Sequence, residues 1–88
     1  MNSPRARLEI ALQQVEPGRA AYGVARNLRD EGMSQLDMYR LFGEFRAAHE
    51  SDVDQTVYDA VLDTMDVISG WCSPGSRLYD TELPPSAA

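Results

Sequence analysis

The chain has 88 residues, with fourteen acidic side chains against eight basic ones, a net charge of -6 and a single cysteine. A chain of this length makes one small domain, and folding removes only ~60–65 % of its unfolded surface, so a deep, water-excluding catalytic cleft is hard to build and an enzyme is disfavoured. Hydrophobic content of 43 % and charged content of 25 % are ordinary for a globular domain and argue against wholesale disorder.

Four helical stretches are predicted, and no strand-like alternation competes with them. Ser3 followed by Pro4 reads as an N-cap and first helical position, because a helix start leaves unpaired the N–H that proline lacks. The first helix is expected from about Pro4 to Val15, with Leu8, Ala11, Leu12 and Val15 on one face and Ile10 off it. Glu16-Pro17-Gly18 reads as its end. The second helix, roughly Arg19 to Glu31, has a thin face of small apolar residues, Ala21, Val24, Ala25 and Leu28, suited to close approach by a neighbouring helix. Gly23 weakens its middle, and Gly32 suits the left-handed conformation that ends helices.

Ser34 with Asp37 three positions on resembles a capping box and opens a third helix to about His49. Met38, Leu41, Phe42, Phe45 and Ala48 form its buried arc, and Arg40 is spaced to pair with Asp37 and Glu44. Ser51 and Asp54 repeat the cap pattern before a fourth helix, Asp52 to Ser69, with Val57, Tyr58, Val61, Met65 and Ile68 on its apolar face and Gly70 as its stop. Trp71-Cys72-Ser73-Pro74-Gly75 reads as a turn whose aromatic folds back on the bundle, with Leu78 and Tyr79 adding a contact. From Asp80 onward there is nothing to bury, and a flexible tail over residues 80–88 is expected. The fold class is therefore all-α: a compact, four-helix, bundle-like single domain over residues 1–79 with a disordered C-terminal tail.

Charge is polarised along the chain. Residues 1–29 hold five arginines against Glu9 and Glu16, a net of +3, whereas residues 30–88 hold twelve acids against Arg40, Arg46 and Arg77, a net of -9. An acidic protein is repelled by phosphate backbones and anionic membrane surfaces, so nucleic acid and membrane are disfavoured partners and a basic protein is favoured. The lone Cys72 cannot form an intramolecular disulfide, and no apolar run has the length of a signal-peptide core or membrane span, so a reducing cytoplasm is the expected compartment.

The most informative constellation is on the fourth helix. At 100° per residue, Asp52, Asp59, Asp63 and Asp66 fall within about 60° of arc opposite the apolar face. Such a stripe is either a solvated face or a docking strip for a cationic partner. Aspartate is a poor helix former and like charges at i,i+4 repel, so the choice has a small cost that solubility alone does not require. A divalent-metal site fits less well, since one straight helix cannot converge six oxygens on an ion. On the second helix Arg19, Tyr22, Arg26 and Arg29 lie within about 80° of arc. These arginines either pair with the chain's own carboxylates or meet the aspartate stripe of a second copy in a homodimer.

His49 is the only histidine, which excludes paired-imidazole metal sites within one chain; a helix-dipole or core contact is the expected role. Cys72 with His49 lacks the surroundings of a nucleophile and base, and Ser73-Pro74-Gly75 lacks the glycines and lysine of a phosphate loop. No catalytic residue, metal or cofactor is expected. Trp71 is the one residue able to anchor an interface alone, or else it lids the hydrophobic layer.

The run Met65-Asp66-Val67-Ile68-Ser69-Gly70-Trp71-Cys72-Ser73-Pro74 resembles a pattern of small uncharacterised bacterial proteins, a likeness that implies no activity. In general type, a small, acidic, helical, non-enzymatic chain resembles bacterial immunity proteins, which block nuclease toxins by presenting carboxylates to a basic active site. The expected function is thus a protein-binding module, in its most concrete form an immunity- or antitoxin-type inhibitor of a basic toxin domain that uses Asp52, Asp59, Asp63, Asp66 and Trp71. The alternative is a self-associating structural or regulatory protein that buries Ile10, Leu36 or the arginine stripe in a homodimer.

Overall fold

In a computed structural model describing residues 3–84, the chain folds into helices α1 (Pro4–Leu12), α2 (Pro17–Asp30), α3 (Gln35–His49) and α4 (Thr56–Ser69), followed by a short 3-10 turn at Pro74–Ser76. The all-α, four-helix expectation is met, and the starts of α1 and α3 form as their sequences dictate. Ser3 Oγ accepts from the Ala6 N–H, and Ser34 Oγ from the Asp37 N–H, each at 3.2 Å. Gly70 takes φ +85° and closes α4, a conformation that glycine adopts without the usual Cβ penalty.

Three boundaries differ from expectation. α1 stops at Leu12 rather than Val15, its end tightened by the Gln13 N–H donating to Ile10 O and the Gln14 N–H to Ala11 O. α2 starts at Pro17 rather than Arg19: proline suits the first helical turn for the same reason that Pro4 does, so Pro17 begins a helix where it reads as a breaker. α4 starts at Thr56 rather than Asp52, because Asp54 Oδ1 accepts from both the Thr56 N–H (2.9 Å) and the Thr56 hydroxyl (2.6 Å), satisfying donors at the helix start and leaving Asp52 outside it.

Pairwise packing fixes the order of the helices. The Arg7 guanidinium on α1 grips Glu31, just past α2, through two parallel bonds of 2.9 and 2.8 Å, so α1 and α2 are antiparallel. Gly18 on α2 faces the Ala60 Cβ on α4, and Arg29 reaches the Leu78 carbonyl beyond α4, so α2 and α4 run the same way. Gln35 at the start of α3 donates to Ile68 O at the end of α4, so these two are antiparallel. Around the bundle the order is α1, α2, α4, α3, with extensive packing on the first three sides.

The core is built from Leu8, Ala21, Ala25, Met38, Phe42, Val61, Met65 and Ile68, which are nearly or wholly buried. Small residues on α2 let the helices approach closely, as the Ala21/Ala25 face implies. Thr64, a buried polar residue, donates its hydroxyl to Ala60 O at 2.9 Å, and among the described residues no buried side-chain polar atom lacks a partner.

The segment after Gly70 corrects the expectation of a free tail from Asp80. Leu83 is only 8 % exposed and joins the core cluster; its N–H donates to Ser69 O (2.8 Å), and its carbonyl accepts from the Trp71 indole (3.0 Å). Gln35 donates to Thr81 O while the Thr81 hydroxyl donates to Gln35 Oε1, and Arg77 bonds Gly70 O and pairs with Glu82. Residues 77–83 thus form a strap over the open ends of α3 and α4. The rest of the expected tail, 85–88, lies outside the described residues.

Candidate functional site

α4 places its side chains in two opposed sets. Ala60, Val61, Thr64, Met65 and Ile68 are buried against α2 and α3, which leaves Asp59, Asp63 and Asp66 exposed along the outer face. Among the described residues none of these three carboxylates takes part in an ion pair, although six such pairs occur elsewhere in the molecule. Three like charges spaced four and three residues apart stay solvated and unpaired. They repel one another slightly and project a negative field away from the bundle.

Asp52 does not belong to this stripe. It lies in the α3–α4 connection, and its Oδ2 is 2.7 Å from His49 Nδ1, three residues back. The four-aspartate stripe is therefore a three-aspartate stripe, because the helix that would have carried Asp52 begins four residues later.

The arginine stripe is not a uniform cationic face. Arg29 donates to Leu78 O (3.0 Å) and pairs with Asp30 (3.1 Å), so it serves the strap and its own helix end. Arg19 is 3.7 Å from Glu16. Arg26 lies over the Tyr22 ring at 6.0 Å from its centroid, a weak exposed cation–π contact. None of the three pairs with Asp59, Asp63 or Asp66, so the acidic face is not neutralised by the chain's own arginines. Arg40 makes neither of its expected intrahelical pairs; Glu44 instead binds Arg5 of α1 at 2.6 Å.

Trp71 is 39 % exposed. Its ring meets Tyr39 edge-on at 5.9 Å between centroids, and its indole N–H holds the strap through Leu83 O. That is a lid's position, with one edge of the ring left at the surface. It follows Gly70 at the C-terminal end of α4, the helix that carries Asp59, Asp63 and Asp66, and its ring packs toward Tyr39 of α3 and Leu83 of the strap.

Elsewhere electrostatics tie the helices together. Arg7 holds the Glu31 carboxyl below the usual glutamate range, and Glu31 in turn raises the Arg7 pKa. The Thr56 hydroxyl and N–H lower Asp54. Burial raises the Tyr79 phenol, partly opposed by nearby Arg29, while its hydroxyl donates to Met33 O at 2.7 Å. These shifts follow from helix ends and the strap, and none belongs to a group poised over a cleft.

Two features escape sequence reasoning. One is the strap anchored by Gln35, Trp71 and Leu83. The other is a groove of about 470 Å³ between α1 and α3, lined by Glu9, Leu12, Gln13, Phe45, Ala48, His49 and Val57. The spacing of Trp71, Leu78 and Leu83 after a glycine stop is the only sequence signal for the first; the second needs the order of helices around the bundle. Among the described residues no group of three or more His, Cys, Asp or Glu side chains converges as metal ligands, and no helix is long and apolar enough to cross a membrane. No family model, no curated protein and no solved structure matches the chain, so function is to be read from these surfaces themselves.

Proposed function

We propose that this protein is a non-enzymatic binding module that presents the outer face of α4, Asp59, Asp63 and Asp66, to a basic partner protein, with the exposed edge of Trp71 as an anchor at one end. An immunity- or antitoxin-type inhibitor of a basic toxin domain is the most concrete form of this reading. The observation that carries it is that the three carboxylates are exposed and that none of the arginines on the adjacent α2 pairs with them, Arg19, Arg26 and Arg29 being engaged elsewhere in the chain. A face held on a rigid, well-packed helix needs no reorganisation to meet a cationic surface, and its field accelerates encounter. Self-association through the arginine stripe is less well supported, because Arg29 and Arg19 have partners within the chain and exposed pairs contribute little.

The test is capture from the source cell by the wild-type protein and by an Asp59→Asn/Asp63→Asn/Asp66→Asn variant at low and high salt. A basic protein retained by the wild type, released by salt and lost from the variant supports the proposal. Equal retention by both reduces the stripe to a solvated face.

A further inference from the structure

The bundle is closed on three sides and open on the fourth. α1 and α3 run in the same direction, since Arg5 meets Glu44 and, further along, Leu12 and Gln13 come opposite His49 across the groove. They do not pack along their lengths as the other neighbouring pairs do. The groove of about 470 Å³ shares Glu9, Phe45 and Ala48 with a smaller hollow of about 170 Å³ bounded by Arg5 and Glu44, making one channel along both helices. Its floor is the edges of Leu12, Phe45 and Val57, and exposed Ala48 gives it a shallow wall without a long side chain.

Because α1 and α3 point the same way, the connections α1–α2 and α3–α4 lie at one end of the bundle, beside the groove's wider part. Each presents a fully exposed aliphatic residue, Val15 at 99 % and Val53 at 103 %. Neither has a packing reason to be apolar.

The ionisable lining is acidic. Glu9 has no ion-pair partner among the described residues, whereas Arg5, the one cation at the channel, is held by Glu44 and His49 is held by Asp52. A parallel pair of helices with an open apolar seam offers the same ridges and grooves that helix packing uses within a bundle. The geometry points to the α1–α3 groove as the docking site for a cationic amphipathic helix of a partner protein, its apolar ridge on Leu12, Phe45 and Val57 and a Lys or Arg on its flank facing Glu9. A second copy of this chain is a poorer occupant, since its net charge of -6 opposes an acidic rim. The site is separate from the acidic face: Val57 is on the side of α4 opposite Asp59 and Asp63, so the two readings stand or fall separately.

The probe is a short capped peptide with leucines at helical spacing along one face and Lys and Arg on its flanks, compared with a counterpart bearing Glu at the basic positions. Amide shifts of the full chain should change saturably at Leu12, Gln13, Phe45, Ala48 and His49 with the cationic peptide. Ala48→Arg, or Gln13→Arg as a second exposed position, should weaken binding about tenfold or more, and Glu9→Gln should weaken it and flatten its salt dependence. Asp59→Asn with Asp63→Asn should leave it unchanged. No saturation by about 1 mM peptide, equal binding of the acidic counterpart, shifts confined to the outer face of α4, or groove signals that move with protein concentration alone would each overturn the inference.

Discussion

Replacing Gly70 by alanine should release the strap, and the structure sets the size of the effect. Gly70 has φ +85°, and a Cβ built on it would lie 2.8 Å from Thr81 O and 3.1 Å from Glu82 Cα, both backbone atoms with no rotamer to move. The left-handed conformation costs a non-glycine residue about 1–2 kcal/mol, and forcing a methyl into an occupied backbone contact adds roughly 1–3 kcal/mol. Gly32 is the matched control, since it has φ +102° but nothing within 4 Å of its Cβ position, so Gly32→Ala carries only the conformational cost. For a domain of this size each kcal/mol lowers Tm by about 4–8 °C. Gly70→Ala should therefore melt several degrees, and up to about 20 °C, below Gly32→Ala in circular dichroism. Trp71 emission should move to the red as its indole loses Leu83. A double-mutant cycle sharpens the test: Leu83→Ala should cost much less in the Gly70→Ala background than alone, because both remove the same contacts. Equal destabilisation by the two glycine variants, with full additivity of Leu83→Ala, would refute the packed strap.

The remaining predictions concern the pairs that hold helix ends and the loops that hold nothing. The Glu31 pKa is lowered by Arg7, so its stabilisation is present above the unfolded glutamate pKa and is lost as pH falls through the lower folded value; Glu31→Gln should reduce the acid-side loss of stability in urea titrations, and an unchanged slope would contradict the pairing. The Tyr79 pKa is raised by burial, so its contribution is present below the unfolded phenol value and lost as pH rises through the folded one; Tyr79→Phe should weaken the alkaline loss while costing about 1 kcal/mol near neutrality for the bond to Met33 O. Leu8→Ala, at a wholly buried position, should cost about 2–5 kcal/mol. Val15→Ser and Val53→Ser should stay within about 0.5 kcal/mol of the wild type, and a larger loss by denaturation would mean that these loops pack against the bundle.

The legible parts of the fold were those decided within a turn of chain. Ser34 caps α3 because its hydroxyl needs only the Asp37 N–H three residues on, and Gly70 ends α4 because the positive φ is local to it. Pro17 is harder, because the same ring that ends one helix is well placed to start the next, and only α2's packing on α1 and α4 decides between them. Asp52 reads as helical for a related reason: both Ser51 and Asp54 can satisfy a helix start, and Asp54 does so through Thr56. The acidic face survives that shift, since Asp59, Asp63 and Asp66 lie well inside α4. The strap and the groove were not legible because they depend on contacts between residues about 40 positions apart, such as Gln35 with Thr81 and Arg5 with Glu44.

The steering role of the acidic face is tested by the association rate of a captured basic partner, measured by stopped flow across a salt series for the wild type and the Asp59→Asn/Asp63→Asn/Asp66→Asn variant. If the outer face of α4 guides encounter, the wild-type rate falls steeply with salt, and the variant associates about tenfold or more slowly at low salt with a much flatter dependence. Identical rates and slopes for the two proteins would contradict it.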